Sequence, residues 1–139
     1  MATRATITIN SDISYSGLSL SSASTLKTAG TDTDISETTG LGKKKVATDS
    51  NVVLLDGGLT SGIAADVTAD KSAKVYVKNM NLRGDGTKYV TILLAAVEIG
   101  RLYGGDWMFI PWCAASGKDI EFTPSDATET TLEYTCFYE

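Results

Sequence analysis

Apolar and polar residues alternate along much of this chain with a period of two, the pattern of β-strands that bury one face. Ala5, Ile7 and Ile9 alternate with Thr6 and Thr8 from almost the first residue. Ile13 with Tyr15, and Leu18 with Leu20, repeat the period on either side of Gly17. Residues 51–55, Asn-Val-Val-Leu-Leu, form a short apolar run stopped by Asp56-Gly57-Gly58, and residues 63–68 are a further strand candidate. Ala73, Val75 and Val77 alternate with Lys74, Tyr76 and Lys78, which predicts a strand with one wet face. The densest apolar stretch is 97–112, where Gly104, Gly105 and Asp106 separate two apolar arms. Glycine tolerates the positive φ of tight turns, so a β-hairpin is expected there. In its second arm Trp107, Phe109 and Pro111 alternate with Met108, Ile110 and Trp112, so both faces of that strand are apolar. One face fills a core; the other needs a second cover. Pro111 has no N–H to donate, which places the strand at a sheet edge or bulge.

Periodicity does not settle residues 88–97, where Val90, Leu93, Leu94 and Val97 also fit helical spacing; the opening Tyr-Val-Thr-Ile and the flanking strands favour a strand. Ile120 and Phe122 form another, followed by a turn at Thr123-Pro124-Ser125-Asp126. The last element puts Leu132, Tyr134, Cys136 and Tyr138 on one face and Thr131, Glu133, Thr135 and Phe137 on the other. Eight to ten short strands about ten residues apart predict a single all-β domain over 1–139, an antiparallel β-sandwich or jelly roll. Residues 21–50 interrupt the pattern with Ser, Thr, Gly and Asp around widely spaced Leu26, Ile35, Leu41 and Val46. That segment reads either as a polar hairpin or as an extended arm ordered by a neighbour.

Composition narrows the function classes. The net charge is −5, which opposes binding to a phosphate backbone, so no nucleic-acid partner is expected. The chain has no histidine, removing the commonest general base and most zinc and copper ligand sets. The two cysteines, Cys113 and Cys136, form no C-x-x-C pair; two reduced thiols at packed positions are expected, with a cross-strand disulfide as the alternative. The N-terminal residues contain no apolar signal segment, and the longest uncharged apolar run, 107–115, is too short to cross a bilayer. A soluble chain made in a cytoplasm, with no membrane partner, is the expectation.

Motifs carrying chemistry are weak. Arg83-Gly84-Asp85 matches an adhesion tripeptide, but with Gly86 it is first a turn. Gly40-Leu41-Gly42 before Lys43, Lys44 and Lys45 lacks the spacing and the Ser or Thr of a phosphate loop; solvated lysines on a turn are expected, with docking to an acidic partner second. Asp32 and Asp34 have calcium-like spacing without the rest of a calcium loop. Glu121 and Glu133 are charges at strand alternation that no cleft visibly unites. No cofactor, no metal and no catalytic residue is predicted. Tyr103, Trp107, Trp112, Tyr134 and Tyr138 read as core or subunit interface, or alternatively as a platform for stacking sugars. The interface residues predicted are Trp107, Met108, Phe109, Ile110 and Trp112.

The C-terminal half, residues 73–139, resembles small all-β virion structural proteins of tailed bacteriophages. The resemblance rests on Lys74-Val75-Tyr76-Val77-Lys78-Asn79, on the Gly-Gly-Asp turn leading into Trp107-Met108-Phe109-Ile110-Pro111-Trp112, and on Thr131-Leu132-Glu133-Tyr134. It implies no catalytic residues. It implies a non-enzymatic capsid decoration, or cement, protein that bridges coat subunits, located in the virion and assembled in the host bacterial cytoplasm. Its partners would be the major capsid protein or other virion proteins and copies of itself, a homo-oligomer with a trimer favoured. A tail or tail-fibre module that binds a carbohydrate or receptor is the alternative.

Overall fold

The computed structural model describes residues 4–11, 18–26, 35, 37–46, 51–58, 72–82, 88–125 and 130–138. These form eleven strands: β1 (Arg4–Ser11), β2 (Leu18–Thr25), β3 (Glu37–Thr38), β4 (Gly42–Val46), β5 (Val52–Leu55), β6 (Ser72–Asn79), β7 (Tyr89–Leu94), β8 (Val97–Tyr103), β9 (Trp107–Cys113), β10 (Ile120–Pro124) and β11 (Thr130–Tyr138). The strand candidates at Ile13 and Tyr15 and at 63–68, the Arg83-Gly84-Asp85 tripeptide, and Asp32 and Asp34 lie outside the described residues.

Every pairing is antiparallel. β1 and β2 form a two-stranded ribbon. β3 and β4 lie end to end along β11, β4 against Thr130 to Tyr134 and β3 against Phe137 and Tyr138, so one sheet runs β4–β11–β6–β9 and the other β5–β10–β7–β8. Counting β4 to β11 as eight strands, the first sheet takes the first, eighth, third and sixth, and the second takes the second, seventh, fourth and fifth. That is the strand order of a jelly roll, two Greek keys folded into a sandwich.

The alternation read from the sequence supplies the core. Ala73, Val75 and Val77 of β6, Leu132 and Cys136 of β11 and Trp112 of β9 face Leu54 and Leu55 of β5, Val90 and Ile92 of β7, Leu102 of β8 and Ile120 and Phe122 of β10. Phe122 and Leu55 are fully buried. The 88–97 ambiguity resolves as strand: β7 ends in the turn Ala95-Ala96, and β8 returns alongside it with Leu94 opposite Val97.

The stretch 97–112 is not a hairpin. β8 pairs with β7 and β9 pairs with β6, so the Gly104-Gly105-Asp106 turn carries the chain from one sheet to the other. The sequence pattern has this cause: each arm is an edge strand of a different sheet. The turn is closed by the Asp106 amide donating to the Tyr103 carbonyl at 2.9 Å and the Tyr103 amide donating to Asp106 Oδ2 at 3.0 Å. Gly105 has φ +84°, and a Cβ on Gly104 would lie 2.3 Å from the Leu82 carbonyl oxygen.

Of the segment 21–50, the residues up to Thr25 belong to β2, and Glu37–Thr38 and Gly42–Val46 are β3 and β4, both paired with β11, β4 over five residues.

Candidate functional site

The outer face of the β4–β11–β6–β9 sheet carries the chemistry that the core does not use. With Val75 and Val77 turned inward, Lys74, Tyr76 and Lys78 of β6 turn outward. Their cross-strand partners share that face: Thr135 and Phe109 flank Tyr76, Glu133 and Trp107 flank Lys78, and Phe137 and Pro111 flank Lys74. Four aromatic rings therefore collect there. Tyr76 and Trp107 have ring centroids 6.5 Å apart at 35°, and Phe109 and Phe137 meet edge to face at 6.3 Å. Burial, and secondly the negative charge of Glu133, push the Tyr76 hydroxyl above its ordinary pKa.

These rings form one wall of a half-open cavity of about 410 Å³. Arg4, Ala5, Thr6 and Ile7 of β1 form the facing wall, with Leu26 and Leu41 beside them. The ribbon lies over the aromatic face because its own alternation leaves Ala5 and Ile7 half-buried while Arg4, Thr6 and Thr8 are exposed. Among the described residues, Arg4 is the one charged residue lining the cavity. Thr135 is held by a 3.0 Å hydroxyl–hydroxyl bond to Thr38.

The five predicted interface residues divide between two faces. Trp112 is buried in the core, its indole N–H donating to the Lys118 carbonyl at 2.7 Å, and Met108 and Ile110 pack against the core from the same face of β9. Trp107, half-exposed, and Phe109 remain on the outside. Of the five residues read as a sugar platform, Trp112 is a core residue and Tyr134 and Tyr138 pack on the core. Tyr103 stands on the other sheet, 5.3 Å from Tyr89. Only Trp107 belongs to the aromatic cluster. Tyr76, Phe109 and Phe137 were the members the platform reading passed over, although each sits at an alternate position facing away from the core residues of its own strand.

The lysines are not on a turn. Lys43, Lys44 and Lys45 lie in β4 opposite Glu133, Leu132 and Thr131. Lys43 and Lys45 face outward, whereas Lys44 bridges the two sheets by donating to the Val53 carbonyl at 2.8 Å. Glu121 and Glu133 point from opposite faces of the sandwich, one on β10 and one on β11, so they form no carboxylate pair. No group of three or more metal-ligating side chains occurs among the described residues.

A second feature is the flank formed by β8 and β9. Each is the terminal strand of its sheet, and the Gly104–Asp106 turn keeps the two together. Among the described residues, every exposed large apolar side chain except Leu41 and Val53 lies here: Val97, Ile99 and Tyr103 on β8, Trp107 on β9, and Met80 and Leu82 beside the turn. No protein-family model, curated protein or solved structure matches this chain.

Proposed function

We propose that this chain is a non-enzymatic structural protein of a bacteriophage virion, a capsid decoration protein that stabilises the shell by bridging coat subunits. The observation that carries the reading is the β8–β9 flank. Two seven-residue edge strands lie side by side and carry exposed Val97, Ile99, Tyr103 and Trp107. Folded monomers blunt such edges, because open N–H and C=O groups beside apolar side chains invite pairing with another chain. A homo-oligomer that buries this flank, with a trimer favoured, accounts for it. Bridging then works by repetition: a contact too weak to hold alone becomes effective when several are engaged at once. Lys43 and Lys45 are secondary docking candidates for an acidic coat surface.

Light scattering on the purified protein tests the self-association half, with a trimer giving three times the monomer mass of 14.7 kDa. Ile99→Lys with Val97→Lys should weaken that association about tenfold or more, since each would bury an unpaired ammonium. A wild-type chain that stays monomeric and does not bind capsids lacking it would end this reading.

The aromatic cavity favours a second reading, a tail or tail-fibre component that binds a carbohydrate or receptor. Jelly rolls serve both as capsid and as lectin domains, so the fold decides nothing between the two.

A further inference from the structure

We infer that copies of this chain associate head to tail, with Leu82 of one copy seated in the aromatic cavity of the next. This rests on the self-association reading and gives it a defined contact. Leu82 is 90% exposed, the most exposed large apolar side chain among the described residues. A lone exposed leucine is ordinary; this one belongs to the β8–β9 flank, with Met80 beside it, and its backbone is pinned. The Met80 amide donates to the Thr131 carbonyl at 2.9 Å, the Asn81 amide to Asn79 Oδ1 at 3.0 Å, and the Asn81 side-chain amide to Thr130 Oγ1 at 3.2 Å. The Leu82 carbonyl lies so close over Gly104 that a Cβ there would come within 2.3 Å of its oxygen. A knob presented on a fixed backbone loses little freedom when it docks.

The cavity supplies the cover that Leu82 lacks. Trp107, Phe109 and Phe137 on one wall, with Ile7 and Leu26 opposite, are the kind of aromatic and aliphatic surface on which interface energy concentrates. At about 410 Å³ the cavity admits the leucine side chain and leaves room for Met80, whose unbranched thioether adapts to irregular gaps. Trp107 joins the two surfaces, since it stands half-exposed on the flank and also lines the cavity. Leu82 and the cavity are different surfaces, so each copy gives one knob and receives one. Such a contact repeats from copy to copy and closes into a ring when its rotation allows.

Charge fits a second copy to this place. Each copy carries a net charge of −5, so two copies repel at long range and meet most easily where carboxylates are absent. Met80, Asn81 and Leu82 are uncharged, and no carboxylate lies among the described residues lining the cavity. A saccharide fits the same walls less well, because its hydroxyls would meet few free partners there. Of the hydroxyls in the lining, that of Thr135 is already bonded to Thr38 at 3.0 Å.

Sedimentation of the full chain and its variants tests the contact. Leu82→Arg keeps the cavity and loses the knob; Ala5→Phe keeps the knob and fills the cavity from the β1 wall. Each alone should associate about tenfold or more weakly than wild type, whereas Leu82→Met should associate as wild type does. Mixed, the two damaged variants should bind one to one, because the intact Leu82 of one meets the intact cavity of the other. Trp107 emission should move to shorter wavelength as wild-type protein is concentrated, and stay fixed in Leu82→Arg. Should Ala5→Phe lose its fold by circular dichroism, Leu82→Arg and the Trp107 shift still decide. A wild-type oligomer that neither variant weakens would overturn the inference and leave self-association standing. The same holds if the two folded variants each stay apart and do not bind one another. A wild-type chain that is monomeric at every concentration would remove both. Chitohexaose that shifts Trp107 emission without dissociating the oligomer would give the cavity to a saccharide instead.

Discussion

Ala95 and Ala96 occupy the two central positions of the β7–β8 turn at φ +53° and +62°. That left-handed pair is what a two-residue hairpin matched to strand twist requires, and it is normally supplied by Asn-Gly, because Cβ crowding costs an L-residue about 1–2 kcal/mol there. Ala-Ala is therefore invisible as a turn signal, which is why residues 88–97 stayed ambiguous in the sequence until the β7–β8 pairing resolved them. Ala96→Gly should raise stability by about 0.5–1 kcal/mol after the extra flexibility of the unfolded chain is offset, read as a higher urea midpoint; an unchanged or lower midpoint would mean the strain is not there. The cysteines differ in a way that spacing alone does not reveal. Both are free, but Cys113 is exposed on the edge strand and Cys136 is buried, so the expectation of two packed thiols holds for one of them. Burial pushes the Cys136 thiol from 9.0 up to about 12. Native protein should therefore react with one equivalent of a thiol reagent, and with two after denaturation. The same shift sets an alkaline limit. Below pH 9 the thiol is protonated in both states and contributes nothing to the pH dependence; between about 9 and 12 only the unfolded chain releases the proton. Stability then falls by at most about 1.4 kcal/mol per pH unit, and Cys136→Ala should remove that component from the alkaline denaturation curve.

At the scale of elements, the alternation of single strands was legible and their partners were not. Each strand's inner and outer residues follow from period two, because a one-residue slip would turn the core face to water. Two apolar arms joined by Gly-Gly-Asp satisfy a hairpin rule equally well whether they pair with each other or join two sheets. What distinguishes them is long-range: Asn79, on β6, receives the turn. Its backbone amide donates to the Asp106 carbonyl and its carbonyl accepts from the Gly105 amide, both at 2.9 Å. Its side chain donates to the Leu102 carbonyl at 3.1 Å and accepts from the Asn81 amide at 3.0 Å. Asn79 is 1% exposed, so Asn79→Ala should leave the Leu102 carbonyl and the Asn81 amide without these partners and cost about 1–3 kcal/mol. Gly104→Ala should cost more, since the new methyl meets the fixed Leu82 carbonyl rather than a side chain free to move. Equilibrium unfolding of the two variants checks the order, and equal, near-zero losses would show that the turn is held some other way. The aromatic cluster was hidden for a related reason: Tyr76, Phe109 and Phe137 are more than 25 residues apart in sequence and meet only because β6 lies between β9 and β11.

For the whole molecule, the division that matters is between sandwich and ribbon. Among the described residues, every buried member of the core cluster lies between Val46 and Cys136, and no described side chain of β1 or β2 is among them. Among the described strands the ribbon pairs only within itself, and it meets the sandwich across the aromatic cavity. A jelly roll closed by its own eight strands does not need it for cooperativity. Removing residues 1–25 should therefore preserve a single cooperative unfolding transition, at a loss smaller than the roughly 3–5 kcal/mol expected for Phe122→Ala in the fully buried core. It should also uncover Tyr76, Trp107, Phe109 and Phe137, raising the binding of an apolar dye and shifting Trp107 emission toward that of an exposed indole, while Trp112 stays buried. If the shortened chain instead lost its cooperative transition, the ribbon would be part of the fold, and the cavity beneath it a packing gap rather than a place for a ligand.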